Sequence, residues 1–231
     1  MTVLHLADEG EAADLAAFLS RLLHYDRGAA VRLQAAGTAL AVFGRPPSFE
    51  VLAIRAVRLA KPYEDGLEAT LDVTVSAGEL LEGVDEAGAT AAVPGAVTGP
   101  PWAGVLPPRG GWRPQEGLPE PDALRATVAA AVGEFRRRSE ALPAESRQRA
   151  ELDRIGREIW SRTVADTGLP VRAVHAAQSL GFLRAAGAGA DLALLSSGAW
   201  LRLRTPYGSI AVRRAGAGLG TPSLSVRPRH P

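Results

Sequence analysis

Between positions 192 and 213 the chain alternates as half-buried β-strands do. Leu192 and Leu194, Leu201 and Leu203, and Ile210 and Val212 are each two residues apart. Gly198 and the Thr205-Pro206-Tyr207-Gly208 turn separate the three runs. Successive side chains of a strand point to opposite faces, so burying Leu201 and Leu203 places Trp200, Arg202 and Arg204 together on the other face. On the neighbouring strand the same rule sends Ile210 and Val212 inward and Ala211 and Arg213 outward. A helix over 171–183 precedes these strands. Pro170 suits a first turn, where its missing N–H leaves nothing unpaired. Val171, Val174, Ala177 and Gly181 share one stripe, which Leu180, Phe182 and Leu183 widen, and Gly187 and Gly189 close the segment.

A similar order is read near the N-terminus. Residues 2–6 read as a strand, and Asp8 as an N-cap with Glu11 three residues on. The helix that follows carries Leu15, Phe18, Leu19, Leu22 and Leu23 to about His24, and strand-like runs follow at 30–35, 39–43, 50–59 and 68–75. Gly37-Thr38-Ala39-Leu40-Ala41-Val42 can be laid on Gly198-Ala199-Trp200-Leu201-Arg202-Leu203, and Leu52-Ala53-Ile54-Arg55 on Ile210-Ala211-Val212-Arg213. The fold class expected is therefore α+β, with antiparallel sheet and helices packed on one side, and with an internal α-β-β-β duplication as one account of the echo.

Residues 93–121 interrupt this pattern. Eight prolines and six glycines leave little room for regular structure, yet Trp102 and Trp112 lie among them. A pure linker seldom carries two tryptophans, so the segment is expected to dock on the body. Beyond it Asp122 reads as the cap of a helix with Leu124, Val128, Ala131, Val132 and Phe135 on its stripe, and a second helix spans 144–162. The division expected is an N-terminal lobe at 1–92, a Pro/Gly/Trp-rich crossover at 93–121, a C-terminal lobe at 122–216 and a tail at 217–231.

Much chemistry is not written in this chain. Without cysteine there can be no disulfide, thiolate metal site or cysteine nucleophile. The four histidines are scattered, and Glu79, Glu82, Asp85 and Glu86 lack the spacing of a calcium loop. Neither a glycine-rich phosphate loop nor a nucleophile elbow is present. No catalytic residue, metal or cofactor is assigned. The start lacks the pattern of a secretory signal, and no run approaches about 18 apolar residues, so the expectation is a cytoplasmic chain with no membrane partner.

Charge is uneven. Residues 171–231 hold eight arginines against one acid, Asp191, a net of +7 that leaves 1–170 at −6. That asymmetry directs attention to an anion. The leading expectation is a non-enzymatic binding protein whose basic–aromatic face, Trp200, Arg202, Arg204 and Arg213 with Arg172 nearby, engages an acidic protein surface or another anion. Two alternatives stay open. Residues 164–174, VADTGLPVRAV, resemble the turn of a helix-turn-helix, which implies a winged-helix DNA-binding unit over 164–213 with the hairpin as its wing. The other is a metal-independent enzyme with its site beneath 93–121.

Overall fold

The computed structural model describes residues 2–64, 68–143, 145, 147–184 and 192–214. The tail at 217–231, Gly187, Gly189 and Asp191 lie outside them. Strands β1 (Val3–His5), β2 (Ala30–Ala36), β3 (Ala39–Gly44), β4 (Leu52–Arg58) and β5 (Thr70–Ser76) occupy the first third of the chain, with helix α1 (Glu9–Tyr25) between β1 and β2. Helix α2 (Ala77–Glu82), β6 (Val84–Asp85), β7 (Thr90–Ala92) and β8 (Arg113–Gln115) follow, then α3 (Pro121–Glu140), α4 (Arg149–Ser161) and α5 (Val171–Ser179). The chain returns to sheet in β9 (Ala193–Ser197), β10 (Trp200–Thr205) and β11 (Gly208–Arg213). This is an α+β fold with antiparallel sheets.

Eight strands form one sheet in the order β5-β2-β3-β4-β11-β10-β9-β8, and β1-β7-β6 form a small second one. The large sheet runs through both expected lobes, because β4 and β11 pair antiparallel, Ala53 opposite Ile210. About that pair the order is symmetrical: a three-strand meander on either side, each preceded by a helix. The tight turns also correspond. Gly37 (φ 57°) and Gly198 (φ 53°) occupy the left-handed region that suits a hairpin turn.

The registers correct one detail of the sequence comparison. Ala39 faces Arg58 and Trp200 faces Arg213. Laying Ala39 on Trp200 therefore lays Ala56-Val57-Arg58, rather than Ala53-Ile54-Arg55, on Ala211-Val212-Arg213. The connection between β3 and β4, with its 3₁₀ turn Pro47–Phe49, is the longer one. That extra length shifts the simple letter match by three residues.

Helices cover one face of the sheet. Asp8 caps α1 by accepting from the Glu11 N–H at 2.8 Å, and Ala12, Leu15, Phe18, Leu19 and Leu22 pack onto the strands. They meet Leu33, Val42, Leu201, Leu203, Ile210 and Val212 in one continuous core, where the Phe18 and Phe182 rings stack at 5.7 Å. Arg55 is buried on this face. Its Nη2 donates to Glu11 at 3.0 Å and Asp14 at 3.2 Å, and its Nη1 to the Tyr207 carbonyl at 2.8 Å. One side chain thus ties α1, β4 and the β10–β11 turn together.

Three expectations change. Helix α5 ends at Ser179, short of Leu183, because Gly181 (φ 74°) turns the chain and the Phe182 N–H bonds back to the Ala177 carbonyl. Asp122 is not a cap: Glu120 holds that position, Pro121 enters the first turn, and Asp122 pairs with Arg125. Residues 93–121 are more regular than their composition implies. They hold a 3₁₀ turn (Pro101–Gly104) and the edge strand β8, whose Arg113 faces Ser196 of β9. Proline at an edge strand costs no ladder bond on the open side.

Candidate anion-binding cavity

Among the described residues no α-helix lies on the second face of the large sheet. Phe43, Leu52, Ile54 and Ala211 form a small apolar cluster there, and Trp102, Leu106 and Trp200 pack against it. Residues 99–113 cross this face as a strap. The strap is fastened near both ends. Arg32 Nη1 donates to the Ala103 carbonyl at 2.5 Å, and Ser197 Oγ donates to the Gly110 carbonyl at 3.2 Å. Trp112 Nε1 donates to the Pro108 carbonyl at 3.0 Å, holding the far end in a tight loop.

Under the strap lies a cavity of about 400 Å³. Ala39, Ala41 and Phe43 of β3 and Ile54 and Ala56 of β4 form its floor, with Pro107, Pro108 and Arg109 as one wall. Gln34, Thr70, Asp72 and Arg202 are its remaining polar neighbours. The floor is deep because Ala41 and Ala56 stand directly opposite each other, so two methyl groups occupy the place of two side chains. Pockets of a few hundred Å³ with an apolar floor and a few convergent polar groups suit small ligands.

The charges lining the cavity differ in their partners. Asp72 accepts from Arg32 Nε at 2.7 Å and Nη2 at 3.0 Å, and from Gln34 Nε2 at 3.1 Å. These bonds, Arg32 first, hold its pKa below the ordinary carboxylate range, and nearby Arg109 adds to the shift. Arg202 has no such company. Its Nε is buried without a hydrogen-bond partner, and its guanidinium stands 5.7 Å from the centre of the Trp112 ring. Among the described residues it makes no ion pair. Burial pushes its pKa down, and the charge of Arg204 adds to that. A partly buried cation without a counter-charge is costly, and an anion delivered by a ligand offsets the cost.

The four face residues divide into subsets. Trp200, Arg202, Arg204 and Arg213 do share the face opposite Leu201, Leu203, Ile210 and Val212, which are all buried. Only Arg202 lines the cavity. Trp200 is half-buried under the strap, with the Arg213 guanidinium 5.4 Å over its ring, and both line a separate cleft of about 340 Å³ with Trp102 and Arg45. Arg204 is exposed. Arg172 does not join them. It lies on α5, on the helix side, 4.0 Å from Glu50 in a cleft lined by Trp160 and Arg157.

The strap covers part of this face, while Ala39, Ala56, Arg204 and Arg213 stay exposed. The winged-helix geometry is missing. Val171, Ala173, Val174, Ala176 and Ala177 of α5 are buried, and His175 is stacked on Trp160 at 4.7 Å. The β10–β11 hairpin sits inside the sheet between β4 and β9 rather than projecting from it. Arg109, Trp112, Asp72 and Arg32 escaped the sequence reading as site residues. The one available signal was the alternation of Arg32 and Gln34 with buried Val31, Leu33 and Ala35 along β2.

Residues 1–104 match the family model described as Domain of unknown function (DUF8010), and residues 107–217 match Domain of unknown function (DUF8185). No curated protein matches the chain. The two matched segments meet inside the strap. The cavity draws Gln34, Ala41 and Asp72 from the first and Pro107, Arg109 and Arg202 from the second. Among the described residues no helix is long and apolar enough to cross a membrane, and no cluster of three metal-ligating side chains occurs.

Proposed function

We propose that this chain is a non-catalytic cytosolic binding protein that holds a small anion on Arg202 beneath the strap. The observation that carries the reading is the buried, unpartnered Nε of Arg202 beside a cavity whose one carboxylate, Asp72, is already bonded to Arg32 and Gln34. Electrostatic attraction and a charge-assisted hydrogen bond would supply the affinity, with Trp112 limiting the directions in which the guanidinium can turn. The site is a partly open cleft of about 400 Å³, a size that suits a small molecule. A binding role also suits a cavity whose polar groups include no paired general acid and base.

Thermal denaturation of the full chain against a panel of anions tests this. Organic carboxylates should raise the Tm of the wild type and leave Arg202→Gln unmoved, since a ligand that binds only the folded state stabilises it by mass action. Loss of response in an Arg204→Glu/Arg213→Glu variant, with Arg202 intact, would contradict it. Salt-sensitive binding of duplex DNA lost in that same variant would favour nucleic acid instead.

A further inference from the structure

We infer that the cavity takes an amphipathic monocarboxylate, its head on Arg202 and its hydrocarbon body on the alanine floor beneath Pro107 and Pro108. The inference rests on the anion reading above and adds the class of ligand.

The balance of charge sets the head group. Asp72 is matched by the bidentate Arg32, and Arg109, although near Asp72, is exposed and keeps its charge in solvent. Among the described residues Arg202 is the half-buried cavity cation without an acidic partner, whereas Arg109 is exposed. One half-buried positive charge without a carboxylate fits one negative charge, and the exposed Arg109 is left to solvent. A dianion such as a phosphate monoester would leave its second charge facing apolar groups, which is costly.

The floor sets the body. Ala39, Ala41 and Ala56 give a recessed methyl surface that steps up at one end to Phe43 and Ile54. Equivalent positions in the two meanders show what is special about it. Ala41 in β3 corresponds to Arg202 in β10, so one meander supplies the hollow and the other the charge. Pro107 and Pro108 roof the hollow without N–H groups that would need partners. An acyl or aryl chain laid between Ala41 and Pro107 loses water contact along the apolar part of the lining.

Calorimetric titration of the full chain with butyrate, hexanoate and octanoate separates this inference from the reading beneath it. Each added methylene should tighten binding about fourfold until the hollow is full. Arg202→Gln should weaken all three acids by roughly tenfold or more, the loss of a charged hydrogen bond. Ala41→Leu fills the hollow, so it should abolish the gain with chain length while butyrate still binds. Ala56→Val repeats the test at the facing position should Ala41→Leu fold poorly. Binding that depends on Arg202 but does not change from butyrate to octanoate would overturn the amphipathic ligand and leave the anion reading standing. Octanoate binding unchanged by Arg202→Gln would overturn the anion reading, and with it the inference. The absence of binding by any of the three at millimolar concentration would overturn both.

Discussion

The two faces of the eight-stranded sheet each carry a buried or half-buried arginine, and they treat it in opposite ways. On the helix face Arg55 has a side chain only 7% exposed and is met by Glu11, Asp14 and the Tyr207 carbonyl. On the strap face Arg202 is met by an indole ring and a cavity. The packing differs in the same sense. The helix face is filled by leucines and by stacked phenylalanines, whereas the strap face is hollow where Ala41 opposes Ala56. Both side chains bury an Nε without a partner, but only Arg55 has a terminal nitrogen matched by carboxylates among the described residues. That contrast is what the proposed anion site on Arg202 rests on.

The largest effect should come from breaking the paired side. Glu11→Ala removes a carboxylate that is 12% exposed and leaves Arg55 buried with less compensation. It should cost about 3 kcal/mol in urea unfolding, the range seen when one partner of a buried pair is removed. Next is close packing on the same face. A Cβ at Gly208 (φ 156°) would lie 2.6 Å from the Phe182 ring, so Gly208→Ala should cost about 2 kcal/mol by the same measurement.

A smaller effect is expected from His175, packed between Trp160 and Phe49 on the helix side. Burial lowers its pKa from the ordinary 6.5, so the folded state binds its proton less readily than the unfolded state. Between the two pKa values the unfolded chain holds more protons, and stability rises with pH through that window. Acidification below about pH 6.5 should therefore lower the Tm, and His175→Leu should flatten that part of the profile. The smallest effect belongs to the strap face. In the absence of ligand, Arg202→Gln should change stability by no more than about 0.5 kcal/mol, or raise it, because the cation it removes has no partner to lose. A large loss in that variant would erase the contrast between the two faces.

The face on which each strand residue lies could be read from the chain, because a period of two leaves no choice once Leu201, Leu203, Ile210 and Val212 are assigned to the core. The same logic recovered α1 and its Asp8 cap. What could not be read was which face the strap would cover. Residues 99–113 show no periodicity, and their path depends on contacts far apart in sequence, Arg32 with Ala103 and Ser197 with Gly110. The hollow depends on them as well. Ala39, Ala41 and Ala56 are ordinary alanines until β3 and β4 align and Pro107 closes above them. Arg172 lies apart from the other four for a related reason: proximity in sequence to a basic segment says nothing about the layer a helix joins, and α5 is held on the opposite side by its buried alanines and valines.

The central claim concerns a single nitrogen, and NMR can observe it directly. In ¹⁵N-labelled protein the Arg202 Nε–Hε resonance, assigned by its absence in Arg202→Lys, should shift downfield and become protected from exchange when octanoate is added. The resonances of Arg204 and Arg213 should move little. An Arg202 signal that stays in place while Arg204 or Arg213 responds would contradict the account and move the anion to the outer surface of the sheet.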